Sequence, residues 1–227
     1  MRMTYTGTLW GLFNPFALLC GLVSVAMITM HGASYLACKT EGVVQMRAEN
    51  AGAIAGILLI VLFLLGGLWA AQPDFYILGK FAGVDGPTNP LLKEVTRASG
   101  VLMNHYRRFP WTLLAPAVAV LAALLTIILM SVKRACGFAF VRSALAVAGV
   151  IATAGLSAFP FLLPSSLDPR SSLTVWDSSS SELTLAIVTV ATVVILPIVL
   201  IYTAWEYRVL RGPVMTESVT SNSHSVY

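Results

Sequence analysis

Long hydrophobic runs separated by short polar stretches are the dominant pattern of this chain. A helix that crosses the hydrocarbon core of a bilayer needs about 20 predominantly apolar residues. Five stretches meet that requirement, at residues 16–37, 53–71, 111–132, 138–163 and 183–205. No stretch alternates like a barrel strand, and backbone groups in lipid must be satisfied within their own segment, so each run is predicted to be a helix. The predicted fold class is all-α: a polytopic transmembrane bundle of five helices, forming a single membrane domain over residues 1–227.

Composition supports the membrane class and argues against others. Hydrophobic residues make up 57% of the chain and charged residues only 11%, whereas soluble domains carry about 25% charged residues. The formal net charge of +4, in so apolar a chain, is typical of basic side chains at helix ends facing anionic lipid, and nucleic acid is not an expected partner. Cys20, Cys38 and Cys136 have no CxxC spacing and no nearby histidine. We interpret them as small apolar residues.

The charges of the short loops predict an orientation. The turn at 133–137 is purely basic, whereas the loop at 164–182 carries Asp168, Asp177 and Glu182 against one arginine. Since basic loops face the cytoplasm, we place this turn and the C-terminal tail there. The turn is also short enough to make the third and fourth helices antiparallel neighbours.

Small residues and prolines mark points of packing and bending. Ala144, Ala148, Ala152 and Gly155 share one face of the fourth helix. Small residues let another helix backbone approach closely, so this face, here called the small-residue stripe, is predicted to be a packing surface. Pro116 and Pro197 lie inside apolar runs and predict kinks.

Ionisable residues are scarce inside the predicted spans. No Asp or Glu lies within the five runs, so a self-contained proton path through them would lack carboxylates. Arg142 is the one charge well inside a run, about one turn into the fourth helix. Two interpretations stay open for it: its side chain snorkels to the headgroups, or it contacts a partner subunit or an anionic lipid.

The three histidines are scattered along the chain. His31 lies near the far end of the first helix, where a hydrogen-bonded packing role is favoured over haem ligation, which stays an alternative. His105 precedes the third helix and is interpreted as an interfacial anchor, and His224 as a solvated tail residue. Such a set does not supply a multi-haem centre, so no catalytic, cofactor-binding or metal residue is predicted.

The segment from Ser171 to Asp177 precedes the fifth helix and has two interpretations. It is typical of an N-terminal cap, with Asp177 or a serine offering an oxygen to free backbone donors. The functional alternative is that Trp176 and Asp177 dock against a partner at the periplasmic surface.

Several motifs, in order along the chain, resemble subunit II of the bacterial cytochrome bd-type quinol oxidases. They are NPFALL at 14–19, NPLLKEV at 89–95, FPFLLPSS at 159–166, SLTVWD at 172–177, PIVLIYTAW at 197–205 and HSVY at 224–227. Members of that family are considerably longer, and residues 6–16 look like a point near their middle. The chain therefore resembles the C-terminal half of subunit II. Whether a separate chain supplies the other half or it is lost stays open.

The resemblance implies a role in a terminal oxidase that oxidises quinol, reduces oxygen to water and contributes to the proton gradient. In such complexes haem b, haem d and the quinol-oxidation loop belong to subunit I, and subunit II is mainly a packing partner. The expected partners are subunit I, membrane lipid and, as a further candidate, a small single-helix subunit. The isolated chain is expected to bind no haem and to lack catalysis, and the expected location is the bacterial cytoplasmic membrane.

Two alternatives of other classes compete with this interpretation. A small transporter or channel commonly shows inverted repeats and polar residues at the membrane midplane, and the sequence shows neither a repeat nor a midplane charge. A truncated remnant that inserts but never assembles is the second alternative.

Overall fold

Helices account for most of the computed structural model, which describes residues 9–72, 74–80, 92–130, 136–165 and 168–209. Five helices in these ranges are long and apolar enough to cross a membrane, which confirms the predicted all-α fold class. The helices are α1 Pro15–Lys39, α2 Gly42–Ala70, α3 Asn104–Arg108, α4 Leu114–Met130, α5 Cys136–Ala158, α6 Val175–Ser178 and α7 Glu182–Val209. A 3-10 turn, Pro110–Leu113, leads into α4.

Two small sheets occur in the polar connections, where strands were not predicted. Strand β1, Asp74–Leu78, pairs with β2, Val95–Ser99. Strand β3, Phe161–Leu163, pairs antiparallel with β4, Leu173–Thr174. Each pair satisfies backbone groups in a connection between long helices, as buried or interfacial backbone requires.

The start of α2 differs from the prediction. The helix begins at Gly42 rather than at Ala53, so most of the stretch between the first two predicted spans is helical. Hydropathy detects only the apolar part of a helix, and the polar first turns, which carry Arg47 and Glu49, continue the same backbone hydrogen bonding. The absence of acids therefore holds for the apolar runs but not for the helices that contain them.

Prolines account for two further differences. Helix α5 ends at Ala158 rather than at residue 163, because Phe159 precedes Pro160 and a residue before proline is pushed out of the helical region. Pro116 is the third residue of α4, in the first turn where proline is tolerated, so the interior kink expected there is wrong. Pro197 does lie inside α7.

The chain divides into two units, one of Met1–Ile77 with Arg97–Ala158 and the other of Leu78–Thr96 with Phe159–Tyr227. In the first unit, α1 packs on α2 and α5, and α4 packs on α2 and α5. Its buried cluster is formed by small or flexible apolar side chains: Val23, Ala26, Met27, Met30, Ala55, Leu59, Ala122, Ala123 and Ala146. Small side chains permit close helix approach where apolar area alone does not drive association in lipid.

Helices α4 and α5 approach closely at a glycine. A Cβ atom built on Gly149 would lie 2.6 Å from the backbone nitrogen and 2.8 Å from the Cα of Ala119. Only glycine fits so near another backbone. Met130 and Ala139 share a buried cluster at the other end of the pair, so the two helices run antiparallel, as predicted.

The face of α5 that packs within the chain is not the predicted one. Its buried side chains are Ala139, Ser143 and Ala146, with Gly149 beside them. Ala144, Ala148, Ala152 and Gly155, the small-residue stripe, are not among the buried residues of this helix. A packing role for the stripe therefore requires a surface outside this unit, and it stays a prediction.

Candidate functional site

The segment before α7 is organised by a capping box around α6. The Thr174 hydroxyl accepts a hydrogen bond from the Asp177 backbone N–H at 3.4 Å, and the Asp177 carboxylate accepts from the Thr174 N–H at 3.2 Å. This reciprocal arrangement satisfies two backbone donors of a helix start. Capping was predicted for the start of the membrane helix, whereas this capping box begins the short α6, with Thr174 as its N-cap. Asp177 does offer an oxygen to a free backbone donor, as predicted.

A lysine that sequence reasoning did not select completes the site. The Lys93 ammonium donates to the Asp177 Oδ2 atom and to the Ser172 carbonyl oxygen. The Lys93 side chain is 3% exposed and the Asp177 side chain 16%. A charge so buried is retained only when it is paired and hydrogen-bonded, so we define Lys93, Ser172, Thr174 and Asp177 as the loop ion-pair site.

The protonation of Asp177 follows from these contacts. Partial burial alone would raise the pKa of Asp177, but hydrogen bonds from Lys93 and Thr174, with the charge of Lys93, outweigh it and hold the pKa below its usual value. The Thr174 hydroxyl also donates to Asp177 Oδ2, at 2.7 Å. The carboxylate is therefore ionised at neutral pH and already engaged within the chain.

Further hydrogen bonds fix the surrounding loop. The Ser172 hydroxyl accepts from the Ser165 backbone N–H at 2.9 Å, and the Val175 N–H donates to the Pro160 carbonyl at 2.9 Å. Next to Asp177, the partly exposed Trp176 ring lies edge-on to Phe159, with centroids 5.8 Å apart. These contacts hold the Trp176 side chain in place at the surface of the second unit.

A second polar cluster lies between two membrane helices. His31 Nδ1 of α1 lies 2.8 Å from the Ser143 hydroxyl of α5, which is 2.9 Å from the Ser34 hydroxyl. The His31 ring also stacks on Phe140, with centroids 4.8 Å apart and an interplanar angle of 21°. Both serines are fully buried, so the predicted hydrogen-bonded role of His31 is confirmed, with Ser143 as its partner.

The remaining candidates are not brought together. Arg142 and Ala148 lie on α5, outside its buried face. His105 contacts the rings of Tyr106 and Phe109. The neighbouring Tyr106 hydroxyl donates to the Thr153 carbonyl of α5 at 3.2 Å. His224 lies outside the described residues. Among the residues that the structure describes, no three His, Cys, Asp or Glu side chains converge as metal ligands.

Comparison with known proteins decides the family. The model of the cytochrome bd terminal oxidase subunit II family matches residues 1–210. This chain belongs to that family. The family membership agrees with the resemblance carried by the motifs, and it favours neither the transporter nor the remnant.

Relatives in three bacteria show how much of the family's chain is present. The chain is similar to a probable cytochrome oxidase subunit 2 of Haemophilus influenzae, with 41% identity over 226 residues. It is 40% identical over 228 residues to the cytochrome bd-I ubiquinol oxidase subunit 2 of Escherichia coli K12. In both comparisons all of this chain aligns with 60% of the relative. The cytochrome bd ubiquinol oxidase subunit 2 of Bacillus subtilis is 23% identical over 199 residues, which cover 87% of this chain and 50% of the relative.

Proposed function

We propose that this chain is a subunit of a cytochrome bd-type terminal oxidase, in a complex that oxidises quinol and reduces oxygen to water. The observation that carries the proposal is the family match over residues 1–210. Identity of about 40% along the whole chain to subunit 2 proteins of two bacteria supports it. The chain spans 60% of the length of those relatives.

Within that complex we assign the chain a structural role. Haem b and haem d are proposed to reside on the partner, subunit I, as the resemblance of the motifs to subunit II implies. Among the described residues, His31 lies between α1 and α5 and hydrogen-bonds Ser143 through Nδ1, which supports a packing role. No redox step is therefore assigned to this chain, and the chain alone is proposed not to be catalytic.

Two surfaces are proposed to meet partners. The first is the partly exposed Trp176, which the loop ion-pair site holds in place; Asp177 acts through that site. The second is the small-residue stripe of α5, which includes Ala148. Arg142, on the same helix, is proposed as a further contact. Subunit I is the proposed occupant, and a small single-helix subunit and lipid are the further candidates.

The proposed location is the bacterial cytoplasmic membrane, with the C-terminus in the cytoplasm. The five apolar helices establish a multi-pass membrane protein, and the orientation rests on the acidic loop and the basic turn of the sequence. A reporter that is active only in the cytoplasm, fused after Tyr227, should be active. A silent reporter on a normally expressed fusion would reverse the orientation.

Copurification tests the proposed function. The chain, tagged and expressed in its native membranes, should recover a haem-bearing partner and show the haem absorbance of that complex, whereas the chain purified alone should show none. Recovery of a stable, inserted chain without a haem-bearing partner would support the non-assembling remnant. A stoichiometric haem spectrum from the isolated chain would refute the division of roles.

A further inference from the structure

The short stretch that leads into α4 is fastened to the end of α5 by its inner side chains. The Tyr106 side chain of α3 is buried, and its hydroxyl donates to the Thr153 carbonyl and lies 2.9 Å from the Ser157 hydroxyl. In the 3-10 turn that follows, Thr112 is fully buried and its hydroxyl donates to the Phe109 carbonyl at 2.6 Å. The backbone of this stretch is therefore held in a fixed position against the bundle.

The outer face of the same stretch carries two adjacent arginines. Arg107 and Arg108 are both exposed, although they follow the buried Tyr106 directly. Neither guanidinium forms an ion pair with any residue in the described part of the chain. The Arg108 guanidinium lies over the Phe109 ring, 5.7 Å from its centroid, which restricts where the charge can point. Two positive charges are thus presented outward from a fixed backbone, without a counter-charge among the described residues.

The other charges of the first unit do not neutralise this pair. The unit has three acidic residues at its described positions, which are Glu41, Glu49 and Asp74. The two glutamates belong to the start of α2, which packs near Met130 at the opposite end of α4. Asp74 is the one described acid that remains at this end of the unit, and Arg97, engaged by a tyrosine, adds a third arginine there. This end of the unit is therefore positive overall.

The residues that follow the arginines present the surface of a membrane span. Trp111 is 72% exposed and stands at the start of the apolar helix Pro110–Met130. Leu114, Leu121 and Ile128 are also exposed, and they are spaced by about two helical turns, so they share one stripe of α4. Tryptophan is enriched at the level of the lipid headgroups, and leucine and isoleucine in the hydrocarbon. The order of positive charge, tryptophan and apolar stripe matches the order of phosphate, glycerol and acyl chain in a phospholipid.

We propose that Arg107 and Arg108, with Trp111 and the exposed stripe of α4, bind one anionic phospholipid. The phosphate accepts hydrogen bonds from the guanidinium groups, whose planar donor forks match phosphate oxygens, and an acyl chain lies along the stripe. An anionic headgroup is favoured over a zwitterionic one because the two charges have no other partner among the described residues. Anchoring of the stretch to α5 lowers the ordering cost of binding. The site lies in the first unit and depends neither on the loop ion-pair site nor on the proposed subunit role.

Native mass spectrometry tests the proposal on the full chain, delipidated in detergent and titrated with phosphatidylglycerol or phosphatidylethanolamine. The chain should bind its first phosphatidylglycerol more tightly than phosphatidylethanolamine. Arg107→Gln/Arg108→Gln should weaken that binding by about fivefold or more. The control Lys80→Gln/Arg170→Gln removes the same net charge from exposed positions in other connections, and it should leave the affinity unchanged. A wild-type chain that does not prefer phosphatidylglycerol, or equal losses in the two double variants, overturns the proposal.

Two further measurements separate a lipid from other anionic occupants. Excess inorganic phosphate should not displace the bound phosphatidylglycerol, since the acyl chains contribute to its binding. Displacement by phosphate would indicate a site for the free anion and overturns the lipid assignment. The same assignment fails if Arg107→Gln/Arg108→Gln keeps its affinity for phosphatidylglycerol but is recovered less with the haem-bearing partner, because the arginines then meet an acidic protein surface. The wild-type comparison of the two lipids decides the proposal even if a variant fails to fold.

Discussion

The ammonium group of Lys93 and the carboxylate of Asp177 form an ion pair between residues 84 positions apart in the sequence. The lysine is the more deeply buried partner, with 3% of its side chain exposed against 16% for the aspartate. Asp177 has other donors in Thr174, whereas Lys93 otherwise donates to the Ser172 carbonyl. Removing Asp177 therefore leaves a buried ammonium with only the Ser172 carbonyl, whereas removing Lys93 leaves a carboxylate that still accepts from Thr174.

Removing the acid should cost more than removing the base. Asp177→Asn leaves a buried ammonium without a counter-charge, a change that typically costs about 3 to 5 kcal/mol. Lys93→Met leaves a carboxylate that is partly exposed and still bonded to Thr174, so its cost should be smaller. Unfolding of each purified variant in detergent, followed by circular dichroism, measures the difference.

The double variant Lys93→Met/Asp177→Asn is the control for this asymmetry. It should be more stable than Asp177→Asn alone, because no unpaired charge remains. If it is less stable than either single variant, and Lys93→Met costs as much as Asp177→Asn, the contribution of the pair does not arise from burial of Lys93.

The loop should keep its order down to acidic pH. The pKa of Asp177 is lower in the folded chain than in the unfolded one. Its stabilising contribution is therefore fully present above the unfolded value of about 3.9 and is lost as the pH falls through the folded value. Hydrogen exchange at the Thr174 and Val175 amides, corrected for intrinsic rates, should show constant protection between about pH 7 and pH 5, and weaker protection only below about pH 4. Loss of protection between about pH 7 and pH 5 would contradict the lowered pKa.

Gly149 and Gly155 should respond differently to the same substitution. In Gly149→Ala the new methyl group meets the Ala119 backbone at 2.6 Å, and overpacking of this kind typically costs about 1 to 3 kcal/mol. A Cβ atom added at Gly155 would meet no atom within 4 Å apart from its chain neighbours and its own helix backbone, so Gly155→Ala should leave the stability of the isolated chain unchanged or slightly raised. Denaturant unfolding in detergent compares the two variants. Equal losses would mean that the close approach of α4 and α5 does not depend on Gly149.

Ala148→Leu should impair assembly more than folding. The side chain lies on the small-residue stripe, outside the buried face of α5, so added bulk is tolerated within its own unit but would overpack a partner helix at about 1 to 3 kcal/mol. The variant should insert at normal levels and be recovered less with the haem-bearing partner. Ala154→Leu, an equal change at an exposed position on another flank of α5, is the matched control. Equal recovery of both variants would remove the stripe from the proposed interface.

The sequence alone was sufficient for the number of membrane helices, their approximate positions and the family. Crossing a bilayer requires a continuous apolar run of fixed length, and such a run is a local property that can be read from successive residues. Hydropathy missed the polar first turns of α2, because Arg47 and Glu49 continue a helix without continuing its hydrophobicity. It also extended α5 beyond Ala158, although Pro160 carried the stop signal.

The tertiary structure was required for every feature that depends on contact between two distant segments. Asp177 was selected from its local pattern, but its partner Lys93 has no local signal, since burial and pairing arise only when the two connections pack together. The inner face of α5 likewise depends on which neighbours are present: alanine and glycine occur on both faces, and only the approach of Ala119 identifies Gly149 as the contact. The residues of a helix face follow from its periodicity, whereas the face that is buried is decided by the helices packed against it.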